Sequence, residues 1–362
     1  MDPGEQDMDH VRLNSLVSNA RACIADRKRV GVMRFFDDTE KVRFVLFHAA
    51  MSFCSQKVRA TLSQRGIAYE SNEMLILASR DRNENLVPAE NYGAEYMRLR
   101  RSGQLSGVAG LADSYSGISS VSLCGLDACA VPTLVDLKTG EVIVDSLRIC
   151  VHIDSTVDGS ESLIPIFDQD RQRVYRQLDA VDATPHPGLL YGFHPYEDRR
   201  PQVLRDAMKM VYDEKLETLA ALTARHSADP GVVEAYQAKI SKESAGRAVQ
   251  RDAVFQEAIR KATRERLVQL NLDLQQSTTD WLCSNSLSLA DIFWAVSLVR
   301  LRYLGLAVLW EDLPLVEAYY RMVTSLQSVR EEVIKATMAS MPPSAYLSPE
   351  TEARSFGFVT ND

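Results

Sequence analysis

Long apolar runs are absent from this 362-residue sequence: no stretch approaches the roughly 18 apolar residues of a membrane-spanning helix, so no membrane partner is expected. A basic excess is absent too. Against 41 Lys and Arg stand 49 Asp and Glu, a formal net charge of −8. That balance disfavours nucleic acid as a partner but still allows a basic pocket for a small anion. Cysteine is sparse. Cys23, Cys54, Cys124, Cys129, Cys150 and Cys283 show no disulfide-framework spacing, and Cys124 and Cys129 have no nearby Cys/His pair. Reduced thiols in a cytoplasmic setting are therefore expected, and no metal site. The opening "MDPGEQDMDHVRLN" is acidic and polar where a secretory signal would be basic and then apolar, which points the same way.

What is present falls into two regions. Val42 to Phe47 is β-branched and aromatic and predicts a buried strand; Ser55 to Arg65 predicts a helix stopped by Gly66; "YESNEMLIL" (Tyr69–Leu77) predicts a second strand. A Gly-, Ser- and Asn-rich stretch at about 78–130 is too long for an ordinary loop and reads as an insertion holding a short helix near Tyr92–Arg100. "AVPTLVD" and "EVIVDS" flank "LKTG" as a hairpin, and Ser146–Thr156 follows as a helix. From Asp168 the strand signals vanish. Phe255, Ile259, Ala262, Leu270 and Leu274 keep close to helical spacing, and further helices are expected over Leu289–Leu306 and Leu315–Met338. The prolines of "TPHPGLLYGFHPYEDRRP" (Thr184–Pro201) interrupt this helical region. The expected division is an N-terminal extension over 1–40, an α/β domain over 41–157 with the insertion at about 78–130, an all-helical domain over 165–342, and a tail over 343–362.

Chemistry concentrates at "MSFCSQKVR". Cys54 stands where the first helix begins, facing unpaired backbone N–H groups and the positive end of the helix dipole, with Lys57 three residues on; both favour thiolate. A buried, inert cysteine is the plain alternative. Lys57 occupies the position where a dithiol oxidoreductase carries its second cysteine, so a thiol reacting here with sulfur needs resolution from outside the chain, and in a cytoplasm glutathione is the candidate. Ser52 adds a hydroxyl for a second thiolate or a substrate oxygen, or simply caps the helix. "VPT" starts a strand after a long loop, where Pro132 can be cis and Val131 can offer its backbone to an extended peptide. Asp145 and Ser146 open a helix, where the free N–H groups and the Ser146 hydroxyl can hold a carboxylate and Asp145 an ammonium; an ordinary N-cap is the alternative. A thiol at one end and an α-amino-acid clamp at the other describe a pocket for glutathione. His186, Tyr191 and His194, in the interrupted stretch, are candidates for lining a substrate pocket, with a polar loop the bland alternative.

These features resemble the glutathione transferase family, which has a thioredoxin-like β-α-β-β-β-α first domain, an all-helical second domain, a cis "VP" and a Glu/Asp-Ser dipeptide. "SLSLADIFWAV" (Ser286–Val296) is similar to the family's buried-helix signature; Ser288 and Asp291 form its S-x-x-D capping box and Leu287 with Ile292 its hydrophobic staple, a folding element. Within the family, Ser52-x-Cys54-Ser55-x-Lys57 resembles the reductive dehalogenases of chlorinated hydroquinones. The resemblance implies that glutathione displaces chloride with Ser52 assisting, Cys54 attacks the glutathionyl sulfur, and a second glutathione resolves the mixed disulfide. It also implies a homodimer, with glutathione as cosubstrate and a small aromatic substrate. Another glutathione reaction on the same fold, such as β-aryl ether cleavage or a ring isomerisation, is the alternative; a non-catalytic binding protein would leave Cys54, Pro132 and Asp145–Ser146 together as coincidence.

Overall fold

In the computed structural model, residues 3–35, 42–103, 108–156, 162–194 and 196–348 are described. The expected tail over 343–362 lies outside them from residue 349 on. The Val-, Leu- and Phe-rich segment expected to be a strand forms β2 (Phe44–His48), every residue of which is buried. Helix α2 (Phe53–Gln64) returns antiparallel to it, and β3 (Tyr69–Glu73) pairs parallel with β2 from Phe44↔Tyr69 to His48↔Glu73. After the insertion, β6 (Thr133–Asp136) pairs antiparallel with β2 and turns through a hairpin into β7 (Glu141–Val144). Helix α5 (Ser146–Ser155) closes the unit and packs beside α2. The sheet order is β1-β3-β2-β6-β7.

Two segments add to this core. The N-terminal extension forms α1 (Pro3–Arg21) and β1 (Val30–Met33), which lies antiparallel on the outer edge of β3. The insertion carries a two-strand ribbon, β4 (Ser79–Arg80) with β5 (Leu86–Val87), then α3 (Ala94–Ser102) and the single turn α4 (Val121–Cys124). Helix α3 begins two residues later than the expected Tyr92, because Glu90–Tyr92 forms a 3-10 turn ahead of it. The second expected strand is shorter than Tyr69–Leu77, ending at Glu73, where β2 ends and the pairing stops.

The remaining regular elements are helical: α6 (Asp168–Asp182), α7 (His186–Tyr191), α8 (Gln202–Arg225), α9 (Pro230–Val249), α10 (Ala253–Gln276), α11 (Leu289–Tyr303) and α12 (Pro314–Thr324), followed by a final helical stretch over 327–340 with a π-helical centre. The expected single helix Leu315–Met338 breaks at Ser325–Leu326, where Leu326 adopts an extended backbone. The hairpin α8–α9 has no counterpart among the sequence expectations, since its long polar faces blur the periodicity. Helix α11 is the axis of this domain: from Leu289 to Leu301 every residue is buried. Its start is fixed as the capping box requires. Asp291 accepts from the Ser288 N–H at 2.8 Å, and its other oxygen accepts from Tyr319 at 2.7 Å and the Leu282 N–H at 3.1 Å. Helix α2 carries several buried side-chain ties across the domain junction: Gln56 donates to Thr337, Lys57 pairs with Asp182 and Arg59 pairs with Glu332. No helix is long and apolar enough to cross a membrane among the described residues.

Candidate functional site

Helix α2 places the thiol. Ser52 is its N-cap, extended at φ −76 and ψ 122, and its hydroxyl accepts from the Ser55 N–H at 3.3 Å. Cys54 therefore sits in the first turn, beside N–H groups that have no helical acceptor. From Phe53 to Leu62 every residue of the helix is buried except Cys54, which is half-buried and opens on a cavity of about 160 Å³. Ser52, Val131, His186 and Tyr191 line the same cavity. Of the residues expected at the site, these five are brought together.

The others are placed differently. The Lys57 ammonium is buried and turned away from the cavity, 2.5 Å from Asp182 and over the rings of Phe53 and Phe293 at 4.7 and 4.5 Å. Burial works against its charge, but the Asp182 carboxylate outweighs that and holds the ammonium above its ordinary pKa. Lys57 thus acts within the packing of α2 against the helical domain rather than as an open glutathione contact. His194 is also separate: its Nδ1 accepts from the Glu197 N–H at 3.1 Å and its Nε2 faces Glu257 on α10 at 3.0 Å, outside the cavity lining. The chain leaves α7 at Gly192, packed so closely on Gln256 that the following residues run along α10.

Pro132 follows a cis peptide bond from Val131. Asp145, at φ 80, caps α5 by accepting from the Leu147 and Arg148 N–H groups at 2.9 and 3.3 Å, with Ser146 buried beside it. Its second oxygen accepts from the Val121 N–H at 3.2 Å. Two residues before Val121, the Ser119 hydroxyl lies 3.4 Å from Cys54 Sγ. The inserted segment therefore lies across both ends of the expected glutathione groove, and Asp145 already has three N–H partners in the place of an ammonium. The segment is fixed there by Gly117, at φ +75, whose carbonyl accepts from the Gly188 N–H at 3.1 Å.

Beside Tyr191 the cavity wall contains groups that the sequence did not single out. Tyr115 from the insertion and Tyr191 each stand edge to face with Tyr212 of α8, with centroids 6.2 and 5.9 Å apart. Lys215 lies 4.1 Å over the Tyr191 ring. A buried ionic network backs this wall: Lys215 to Glu243 at 3.0 Å, Glu243 to Lys239 at 2.9 Å, and Lys239 and Lys242 to Asp127 at 2.5 and 3.6 Å. Burial acts to raise the Glu243 carboxyl, but Lys215 and Lys239 bring it down to about 2. His186, stacked on Phe53 at 4.0 Å with Nε2 3.0 Å from Ser297, is held neutral by burial and by the Arg300 and Lys57 cations, which push its pKa well below 6.5. Arg300 of α11 reaches under the Cys54 loop and donates to the Met51 carbonyl at 2.6 Å. One readable signal existed: Arg300 is the first charge in an otherwise apolar run after Asp291, "IFWAVSLVR". One cluster among the described residues has metal-ligand spacing, Asp136, Glu141 and His152, but Asp136 is already paired with Arg43 at 2.6 Å.

The glutathione S-transferase N-terminal domain model matches residues 51–156 and the C-terminal domain model residues 231–327. The chain is 38% identical to 2,5-dichlorohydroquinone reductive dechlorinase of Sphingobium indicum over 86% of its own length and 87% of the relative's. It is 22% identical to human ganglioside-induced differentiation-associated protein 1-like 1, over 86% of this chain and 80% of that one. Among solved structures, the beta-etherase LigF of Sphingobium sp. strain SYK-6 (TM-score 0.50, 15% identity, 81% and 99% coverage) and glutathione transferase F2 of Populus trichocarpa (TM-score 0.50, 11% identity, 82% and 99% coverage) share the fold. The α/β first domain is thioredoxin-like, the second is all-helical, and the chain belongs to the glutathione S-transferase family as a glutathione-using enzyme.

Proposed function

We propose that this chain is a glutathione-dependent reductive dehalogenase of chlorinated hydroquinones, with Cys54 as the thiol that resolves the conjugate. The observation that carries the reading is the 38% identity to a reductive dechlorinase over 86% of the chain. It is supported by Cys54, the half-buried position in the otherwise buried part of α2, facing an aromatic-walled cavity.

The chemistry balances in three steps. Glutathione thiolate forms a C–S bond to the ring and chloride leaves. The Cys54 thiolate then attacks that sulfur, forming a Cys54–glutathione disulfide while the aryl group leaves with the electron pair and takes a proton. A second glutathione thiolate attacks the mixed disulfide, freeing Cys54 and releasing oxidised glutathione. In sum, one aryl chloride and two glutathiones give the hydroquinone, oxidised glutathione, chloride and a proton. Ser52 assists the first step. The glutathione backbone lies along Val131 and Pro132, with its γ-glutamyl end at Asp145–Ser146 once the segment over 119–121 has moved aside. The enzyme works in the cytoplasm as a homodimer.

The test is incubation with glutathione and a panel of chlorohydroquinones, reading chloride release and products by mass spectrometry. Wild type is expected to release chloride and return dechlorinated ring. Cys54→Ser is expected to release chloride but accumulate the glutathionyl-hydroquinone, because a hydroxyl does not attack thioether sulfur as a thiolate does; Ser52→Ala is expected to slow the step before any conjugate appears. Dechlorinated product from Cys54→Ser at wild-type yield would make the thiol a bystander. Conjugates without chloride release would point to another transferase reaction.

A further inference from the structure

Arg300 is 97% buried, since its relative exposure is 3%, yet no carboxylate pairs with it among the described residues. Its other buried cationic neighbours differ: Lys57 has Asp182, Lys215 has Glu243, and Lys239 has Asp127 and Glu243. One Arg300 terminal nitrogen donates to the Met51 carbonyl at 2.6 Å and approaches Gln56 Oε1 at 3.5 Å, while its Nε is buried with no partner. Burial brings its pKa down to about 10, which leaves it cationic at neutral pH. A charge in this state is unfavourable until an anion meets it. Arg300 lines the same cavity as Cys54.

The rest of that cavity fits an anion carried on an aromatic ring. Four cations, Arg300, Lys215, Lys239 and Lys242, line it against two carboxylates, Asp127 and Glu243, leaving a net +2 within a chain of net charge −8. Three further buried polar atoms in the lining have no partner, Tyr115 Oη, His186 Nδ1 and Asn91 Oδ1. The aromatic side chains offered to the ligand are Tyr115 and Tyr191, the latter with Lys215 4.1 Å over its ring. A neutral apolar ring would leave Arg300 unpaired; a free inorganic anion would leave the tyrosine wall without contact.

We propose that this cavity is a subsite for an anionic aromatic ring, a phenolate, whose charged oxygen is taken by Arg300 while Tyr115 and Tyr191 flank the ring. The inference rests on the reading of the cavity as the substrate site. It adds that the substrate is bound as its anion and that Arg300 sets this preference.

The test uses binding without glutathione, so its outcome is independent of whether the enzyme dehalogenates. The probe is 2,6-dichloro-4-nitrophenol, an acidic phenol ionised at neutral pH, compared with its methyl ether by equilibrium dialysis. Wild type is expected to bind the phenolate at least about tenfold more tightly than the ether, the effect of one charge-assisted contact. Arg300→Lys is expected to keep most of that preference and Arg300→Met to abolish it, with circular dichroism confirming the fold. Should Arg300→Met not fold, the wild-type ratio and Arg300→Lys decide, alongside a 3,5-dichlorobenzoate and 3,5-dichlorobenzamide pair on wild type. Equal binding of anion and neutral isostere by wild type overturns the proposal. So does an Arg300→Met variant that keeps the preference, since the charged oxygen would then be held elsewhere. Chloride release in the panel experiment fails or succeeds separately.

Discussion

Replacing Lys57 with methionine removes a charge that the fold has already neutralised, and the cost can be worked from where its partner is left. Asp182 has a side-chain exposure of 8% and its carboxylate is 2.5 Å from the ammonium. Without Lys57, burial and the nearby Asp145 and Asp179 carboxylates raise the folded pKa of Asp182 further above the ordinary range. The protein then either holds an unpaired buried carboxylate, at about 3–5 kcal/mol, or protonates it. Protonating a carboxyl of unfolded pKa about 3.9 at pH 7 costs about 4 kcal/mol, which caps the loss. The sign follows from the raised folded pKa: the variant's stability is fully present below the unfolded pKa and is lost as pH rises. Denaturant unfolding of Lys57→Met is therefore expected to show a deficit of about 4 kcal/mol at pH 7 that shrinks by about 1.4 kcal/mol for each unit of acidification, down to about pH 4. The double variant Lys57→Met/Asp182→Leu is expected to recover most of the deficit, because neither charge remains. A pH-independent deficit below about 1 kcal/mol would refute the reasoning, showing that Asp182 reaches water or another cation.

Asp145→Ala is expected to cost about 1 kcal/mol through the lost cap of α5 and to raise the glutathione requirement by about one decade; circular dichroism and glutathione saturation curves check the two separately. Glu243, whose carboxyl is depressed to about 2 by Lys215 and Lys239, contributes stability that is present above its unfolded pKa of about 4.5 and lost as pH falls toward 2. Acid unfolding of Glu243→Gln is accordingly expected to be flatter over that window than wild type, although the variant starts less stable at pH 7. Ser288→Ala, which removes the hydroxyl of the capping box but leaves the backbone N–H that Asp291 accepts, is expected to lower stability by about 1 kcal/mol with glutathione kinetics unchanged.

Much of the fold was legible because its signals are local. The run over Val42–Phe47, the Gly66 stop, the "LKTG" turn and the S-x-x-D box each act within a few residues, and each appears within two residues of where the sequence placed it. The core order β2-α2-β3 and β6-β7-α5 follows from those signals, whereas β1 and the β4–β5 ribbon were not expected. The helix starts at Ser52 and Asp145 were legible, and Ser52 and Cys54 line the cavity. The site was not legible where function depends on contacts between distant segments. Lys57 reads as a helpful cation beside Cys54, but its 125-residue separation from Asp182 hides the pairing that takes it away. The ionic network joins Asp127 in the insertion to Lys239 of α9, 112 residues further on, and through Glu243 to Lys215 of α8, and no periodicity announces it. His194 looked equivalent to His186 in the same proline-rich stretch; packing of Gly192 on Gln256 separates them.

Strand β1 changes what kind of object the sheet is. Without it β3 would be a lateral edge, five residues with open N–H and C=O groups on one side. The N-terminal segment closes that side from Val30↔Asn72 to Met33↔Tyr69 and is itself clamped, Arg21 to Glu70 at 2.6 Å and Arg29 to Glu90 at 2.6 Å. Glu90 also accepts from the Ala25 and Leu75 N–H groups, so one carboxylate of the insertion ties the extension to the end of β3. The first thirty or so residues are thus a guard against strand-to-strand self-association. A chain shortened to begin at β2 would present β3 as a template for another copy, and its failure would be one of solubility before it was one of catalysis.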